Sequence, residues 1–260
     1  MSARRFAGWC FLAVLYLFLL APAVMVVVDS FNSATSFPGP FESATLHWYG
    51  ALFQHDEFLT AMRVSSFVAA AAAGLATCVS FFAAYALVRY SFRGKNALQA
   101  FLLGPLFVPQ IVIGLAMLQM LSLLRLQIAL SALIVVHTVY VMPFTLRLIM
   151  TALARFDFNL EDAAHSLGAG ALETLWHVTL PLARTGIVAG FVFAFILSFV
   201  NLPLSLFLTN SRTATLPVVM FSYMESRIDP LVAAAATLMV AGAISFTMLL
   251  ERVFRFRLLG

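Results

Sequence analysis

The chain has 260 residues, of which 63% are hydrophobic and only 10% charged, with a mean hydropathy of +1.00. A soluble domain carries about 25% charged residues, so a water-soluble fold is excluded and a membrane protein is indicated. The net charge of +4 and the pI near 9.4 do not point to nucleic acid, because the basic residues are scattered at the ends of apolar stretches and form no stripe.

A helix needs about 20 apolar residues to cross a bilayer. Six stretches qualify, at roughly 7–29, 62–88, 97–121, 128–150, 184–208 and 231–251, which predicts an all-α membrane protein with six transmembrane helices in one domain over 1–260. The first follows Arg4 and Arg5 as a signal peptide would, yet its apolar run from Ala7 to Val28 is a full membrane width and longer than a signal core. It is expected to stay as a span. The interval 30–61 holds the turn-rich Asn32, Ser33, Pro38, Gly39 and Pro40, then Leu46-His47-Trp48-Tyr49, an interfacial aromatic anchor. In the second span, Ala69 to Ala73 offers small side chains for close helix packing. Cys10 and Cys78 both lie in apolar stretches and are expected to pack as small hydrophobes.

Lys95 follows Gly94, but Asn96 replaces the Ser or Thr of a P-loop and Arg89 stands where its first glycine belongs, so the chain is not expected to hydrolyse ATP. There is also no H-E-x-x-H, C-x-x-C or G-x-S-x-G, leaving an intramembrane enzyme without a metal site, a nucleophile or any other catalytic residue. The third span carries Pro109, Gln110 and Gly114, a kink beside a polar group. In the fourth, His137 and Tyr140 lie one turn apart, suited to an interhelical hydrogen bond or a proton relay. The fifth places Ser198, Asn201 and Ser205 on one helical face, with Pro203 interrupting the backbone bonding between them. A polar stripe in lipid must face protein or water, so these residues and Gln110 either line a solute path or join helices.

Placing the N-terminus in the cytoplasm puts Arg89, Arg93, Lys95, Arg147, Arg155, Arg184 and Arg252 on the inner side, along with Arg4, Arg5, Arg255 and Arg257. Only Arg63, Arg125, Arg212 and Arg227 then lie outside. Both termini and the polar interval 151–183 are therefore expected to be cytoplasmic. In that interval Asn159 can cap a short helix starting near Leu160, with Asp162 completing a capping box. Ala163 and Ala164 allow close approach by another protein, Gly168 permits a left-handed end, and Leu172, Leu175 and Trp176 share a face. Pro181 suits the first turn of the next helix.

The spacing here is specific. Asp162-Ala163-Ala164, three residues, Gly168, nine residues, then Val178-Thr179-Leu180-Pro181 resembles the EAA loop of bacterial ABC-importer permeases, with Asp162 for the usual Glu and Val178 for the usual Ile. Trp48-Tyr49, the inner turn Tyr90-Ser91-Phe92-Arg93-Gly94-Lys95, and Thr215-Leu216-Pro217 extend the resemblance to the permease subunit of type I importers, in the spermidine/putrescine-like branch. That resemblance implies a multi-pass protein of the bacterial inner membrane that pairs with a second permease, expected to be a different chain. It also implies two cytoplasmic ATPase subunits, which bind the ATP and magnesium, and a periplasmic solute-binding protein. Glu161, Asp162, Ala163, Ala164 and Gly168, with Val178, Leu180 and Pro181 behind them, would dock in a groove on the ATPase. No cofactor or metal is expected in this chain.

Polyamine permeases of this branch place acids near the middle of the fifth span and after the third-span proline, where this chain has Val200 or Asn201, and Gln110. A polyamine is the expected solute, while an amino-phosphonate, opine, carboxylate or metal chelate stays open. A stand-alone channel or secondary transporter would show internal repeats or intramembrane acids, and the sequence shows neither.

Overall fold

The computed structural model describes residues 3–35, 40–127, 129–227 and 229–254. Its helices are α1 Ala3–Asp29, α2 His47–Phe53, α3 Asp56–Arg89, α4 Lys95–Leu103, α5 Gln110–Leu123, α6 Leu130–Leu153, α7 Asn159–Ser166, α8 Ala171–Thr174, α9 Leu180–Phe199, α10 Leu216–Ser226 and α11 Leu231–Phe254. Among the described residues there is no β-strand, only an isolated bridge between Asn32 and Ala44. Among the described residues five helical stretches are long and apolar enough to cross a membrane, and a bent pair, Lys95–Phe107 with Gln110–Leu123, makes up to six if it is one span.

The chain forms two compact units, 1–60 with 219–244, and 61–218 with 245–260. In the first, α1 keeps its apolar side chains exposed from Trp9 to Met25, a surface for lipid or another chain. The segment after it folds around the buried Asn32. Its Oδ1 accepts from the amides of Ala34 and Glu42, its Nδ2 donates to the Pro40 carbonyl at 2.9 Å, and its own carbonyl accepts from Trp48 Nε1 at 2.8 Å. The aromatic pair expected at the interface is thus partly a local fastener, Tyr49 OH also meeting Ser30 Oγ at 2.7 Å. Elsewhere in this unit His55, Phe58 and Tyr223 form an edge-to-face cluster beneath the Arg227 guanidinium, and Tyr223 donates to Asp229 at 2.8 Å. Pro38 and Gly39 lie outside the described residues.

The second unit is built on α6 against α9. Gly186 and Gly190, one turn apart on α9, let the two backbones approach: a Cβ at Gly186 would stand 3.1 Å from the Leu148 carbonyl, and one at Gly190 3.5 Å from Thr145 Cα. Small residues at four-residue spacing are how helices pack closely in lipid, where no hydrophobic drive brings them together. α3 contributes Ala69, Ala72, Ala73 and Ala76, all fully buried, and Ser80, whose hydroxyl meets Thr145 Oγ1 at 2.6 Å. Leu133, Val136, Val141, Ala194 and Leu204 fill one core cluster; Phe81, Leu87, Leu146, Ile149 and Ala183 fill a second.

Three local expectations are corrected. The stretch 97–121 is not one kinked helix: it breaks by 101° between the short 3₁₀ turn Gly104–Phe107 and α5. Val108, before Pro109, is forced to extended backbone (ψ 127°), and Pro109 itself opens α5. Likewise the stretch 184–208 is α-helical only to Phe199, with a short 3₁₀ turn at Ser205–Phe207, because Pro203 lacks an amide and in a continuing helix its ring would collide with the carbonyl four residues back. Finally, Asn159 is the first residue of α7 rather than its cap. The Asp157 carboxylate accepts the Asn159 amide at 3.0 Å, while Asp162, expected to close a capping box, bonds Arg89 instead.

Candidate functional site

Two groups of the candidate residues are brought together, both within the second unit. The first is the loop 159–181. Helix α7 ends at Gly168, which takes φ 94°, with Ala169 N donating to the Ala164 carbonyl and Gly168 N to that of His165, both at 3.0 Å. This paired closure satisfies carbonyls that the helix end would otherwise orphan. It leaves Leu167 at the tip, 90% exposed, with Leu172 and Trp176 also exposed and Leu175 half-buried. Asp162, Ala163 and Gly168 are exposed, and Ala164 and Val178 half-buried. Then the chain makes a π-helical turn, Leu175–Thr179, ahead of Leu180 and Pro181. Pro181 cannot donate to the carbonyl of His177, and the widened turn relieves the clash its ring would make there.

Glu161 departs from expectation. It does not stand out for a partner but turns inward, 2% exposed. Its Oε1 accepts from Thr179 Oγ1 at 2.5 Å and its Oε2 from Tyr85 OH at 3.0 Å. Arg89 Nε lies 3.4 Å from the same Oε2, and the other end of that guanidinium donates to Asp162 Oδ1 at 2.6 Å. The guanidinium also sits over the Phe158 ring, 5.1 Å from its centroid. A buried carboxylate is tolerated only when its lone pairs are filled, and here the C-terminal end of α3 and the turn before α9 fill them. Nothing near Glu161 in sequence announces Tyr85, Arg89 or Thr179 as partners.

The second group is a polar chain across α5, α6 and the segment after α9. Gln110, first residue of α5, donates to Tyr140 OH at 2.5 Å and accepts from Asn201 Nδ2 at 3.1 Å. The Asn201 side-chain oxygen takes the Leu204 amide at 3.0 Å, and its main-chain carbonyl takes Ser205 Oγ at the same distance. His137 bridges Ser198 (Nδ1, 2.8 Å) and Ser205 (Nε2, 3.1 Å). The four residues named from sequence are therefore neighbours, though not by sharing a helical face. Asn201 and Ser205 lie beyond the end of α9, Ser205 held to α6 by His137 and Asn201 to α5 by Gln110. Ser198, Asn201 and Ser205 are buried with partners; Gln110 is the member whose side chain stays half-open. His137, with a bond on each ring nitrogen, has the geometry of an interhelical fastener. Among the described residues no group of three or more His, Cys, Asp or Glu could hold a metal ion.

Residues 76–259 match the family model of the binding-protein-dependent transport system inner membrane component. The chain is 32% identical over 230 residues to the spermidine/putrescine transport system permease protein PotC of Escherichia coli (strain K12), covering 88% of this chain and 87% of that one. It is 27% identical over 254 residues to the putative 2-aminoethylphosphonate transport system permease protein PhnV of Salmonella paratyphi A (strain ATCC 9150 / SARB42), with 97% and 95% covered. In fold it is similar to a chain of a bacterial ABC transporter involved in import of the acidic polysaccharide alginate, with a TM-score of 0.75 over 97% of this chain and 98% of that one, at 16% identity. With that match over most of its length and its apolar helices, the chain belongs to the binding-protein-dependent transport inner membrane components, as a multi-pass inner-membrane permease subunit of an ABC importer.

Proposed function

We propose that this subunit forms part of the path for a polyamine of the spermidine/putrescine class and is driven through its 159–181 loop by a cytoplasmic ATPase. The observation that carries the solute class is the 32% identity to a spermidine/putrescine permease over 88% of the chain. The docking role rests on the spacing of Asp162-Ala163-Ala164 to Gly168 and Pro181, on the exposed Leu167, Leu172 and Trp176, and on the excess of arginine on the side assigned to the cytoplasm. Both termini then face the cytoplasm, a second permease subunit completes the path, two ATPase subunits bind ATP and magnesium, and a periplasmic protein delivers the solute.

Within the path Gln110 meets the solute, because it is half-open at the break between Pro109 and α5, and Asn201 fixes its orientation from behind. Neither is acidic, which leaves a second reading, a zwitterionic amino-phosphonate, favoured by the 27% identity to the PhnV permease. Uptake by the complete complex in vesicles, energised by enclosed ATP, separates the two. Spermidine or putrescine is expected to accumulate and 2-aminoethylphosphonate not to; the opposite preference would replace the first reading by the second. In the same vesicles Asn201→Leu strips Gln110 of a partner and is expected to slow uptake about tenfold, the equivalent of about 1.4 kcal/mol for one lost side-chain hydrogen bond. Uptake at the wild-type rate would reduce Asn201 to helix packing.

A further inference from the structure

We propose that Glu161 is a positioning residue that makes the loop, α3 and α9 move as one piece, so that a displacement of α7 reaches the membrane helices instead of being absorbed by the loop. The inference rests on the coupling role proposed for 159–181.

A single buried carboxylate joins three elements. Glu161 belongs to α7; Tyr85 and Arg89 belong to the C-terminal end of α3; Thr179 belongs to the turn that leads into α9. Both carboxylate oxygens are engaged, and the residue is 2% exposed. Around it Phe158 closes off water, packed between the Arg89 guanidinium, Phe156 and Tyr85. A loop held only by its two chain ends would swing when pushed. One pinned by short, charge-assisted bonds to the ends of two membrane helices transmits the push, since such bonds are strong and directional when shielded from water. Asp162 plays a different part. It shares Arg89 with Glu161 but is exposed, so its bond is screened by solvent and free to exchange for a partner's basic group.

A purely structural fastener and a transmitting one differ in what they do to coupling. Poor folding lowers uptake and solute-stimulated ATP hydrolysis together and leaves their ratio alone; a slack connection lowers the ratio. The test uses the complete complex, with the second permease, the ATPase and the binding protein, in vesicles where both rates are read.

Thr179→Val removes one hydroxyl donor at nearly constant volume, and Glu161→Ala removes the whole junction. Uptake per ATP is expected to fall about threefold for Thr179→Val and about tenfold or more for Glu161→Ala, as one and then all of the bonds to the carboxylate are lost. Glu161→Gln, which still accepts from one hydroxyl, should fall between them. An unaltered ratio in Thr179→Val together with either Glu161 variant would overturn the proposal. If Glu161→Ala yields no complex, Thr179→Val and Glu161→Gln decide it by the same ratio. Failure of the coupling reading looks different: the wild-type loop would then be dispensable for ATPase binding, whatever the ratio in the variants.

Discussion

Gly186→Leu is expected to destabilise the fold strongly. At this position α9 meets α6 backbone to backbone, and any Cβ would collide with that of Ala152 while standing 3.1 Å from the Leu148 carbonyl and 3.3 Å from Ile149 Cα. Two of these neighbours are main chain in the middle of a helix and cannot step aside, so the helices must separate. Overpacking a close-packed site costs about 1–3 kcal/mol, and a branched side chain at a backbone crossing belongs at the upper end. The Ser80–Thr145 bond and the Leu146 and Ile149 packing lie along the same seam and would loosen with it. Thermal unfolding of purified protein in detergent should show a large loss for Gly186→Leu. Gly190→Ala is the control: its Cβ would make ordinary contacts at 3.5 Å with Thr145 and should cost less than about 1 kcal/mol. Equal stability of Gly186→Leu and wild type would refute this packing.

Gly168→Val should leave the protein folded yet abolish coupled transport. A Cβ here would meet nothing within 4 Å, so the effect is confined to the backbone: φ of 94° is open to glycine and costs a β-branched residue about 1–3 kcal/mol. That exceeds what the exposed end of a helix of 8 residues can hold against, so the paired closure on Ala164 and His165 opens and Leu167 turns away. Uptake should drop at least about tenfold with membrane protein level maintained, and Gly168→Asn, which tolerates the left-handed region better, should retain part of it. Wild-type uptake by Gly168→Val would mean that the shape of this tip is irrelevant to transport.

The apolar spans were legible because lipid imposes length and hydropathy on every crossing, and the short helix α7 because Gly168 marks its left-handed end. What stayed hidden is tertiary. Glu161 reads as one acid in a polar run, yet its partner Tyr85 is 76 residues away. Arg89 reads as an inner-side charge and serves also as a bridge to two acids. The stripe Ser198, Asn201, Ser205 was found by assuming helical periodicity, and the residues do meet, but across the end of α9 after Phe199, ahead of Pro203. Helical spacing misled about the route and not about the neighbours. One signal was present and unused: Gly186 and Gly190 stand four apart in an apolar run, the spacing that marks a close helix crossing in lipid.

The central claim, that the 159–181 loop is a cytoplasmic docking element, is tested most directly by labelling Leu167→Cys in a background lacking Cys10 and Cys78. Leu167 is 90% exposed, so the thiol is accessible wherever the loop lies. An impermeant maleimide should leave it unmodified in intact cells and modify it in inside-out vesicles stripped of ATPase, with adding back the ATPase subunits protecting it. Labelling from outside intact cells, or unaltered labelling in the presence of bound ATPase, would contradict the account.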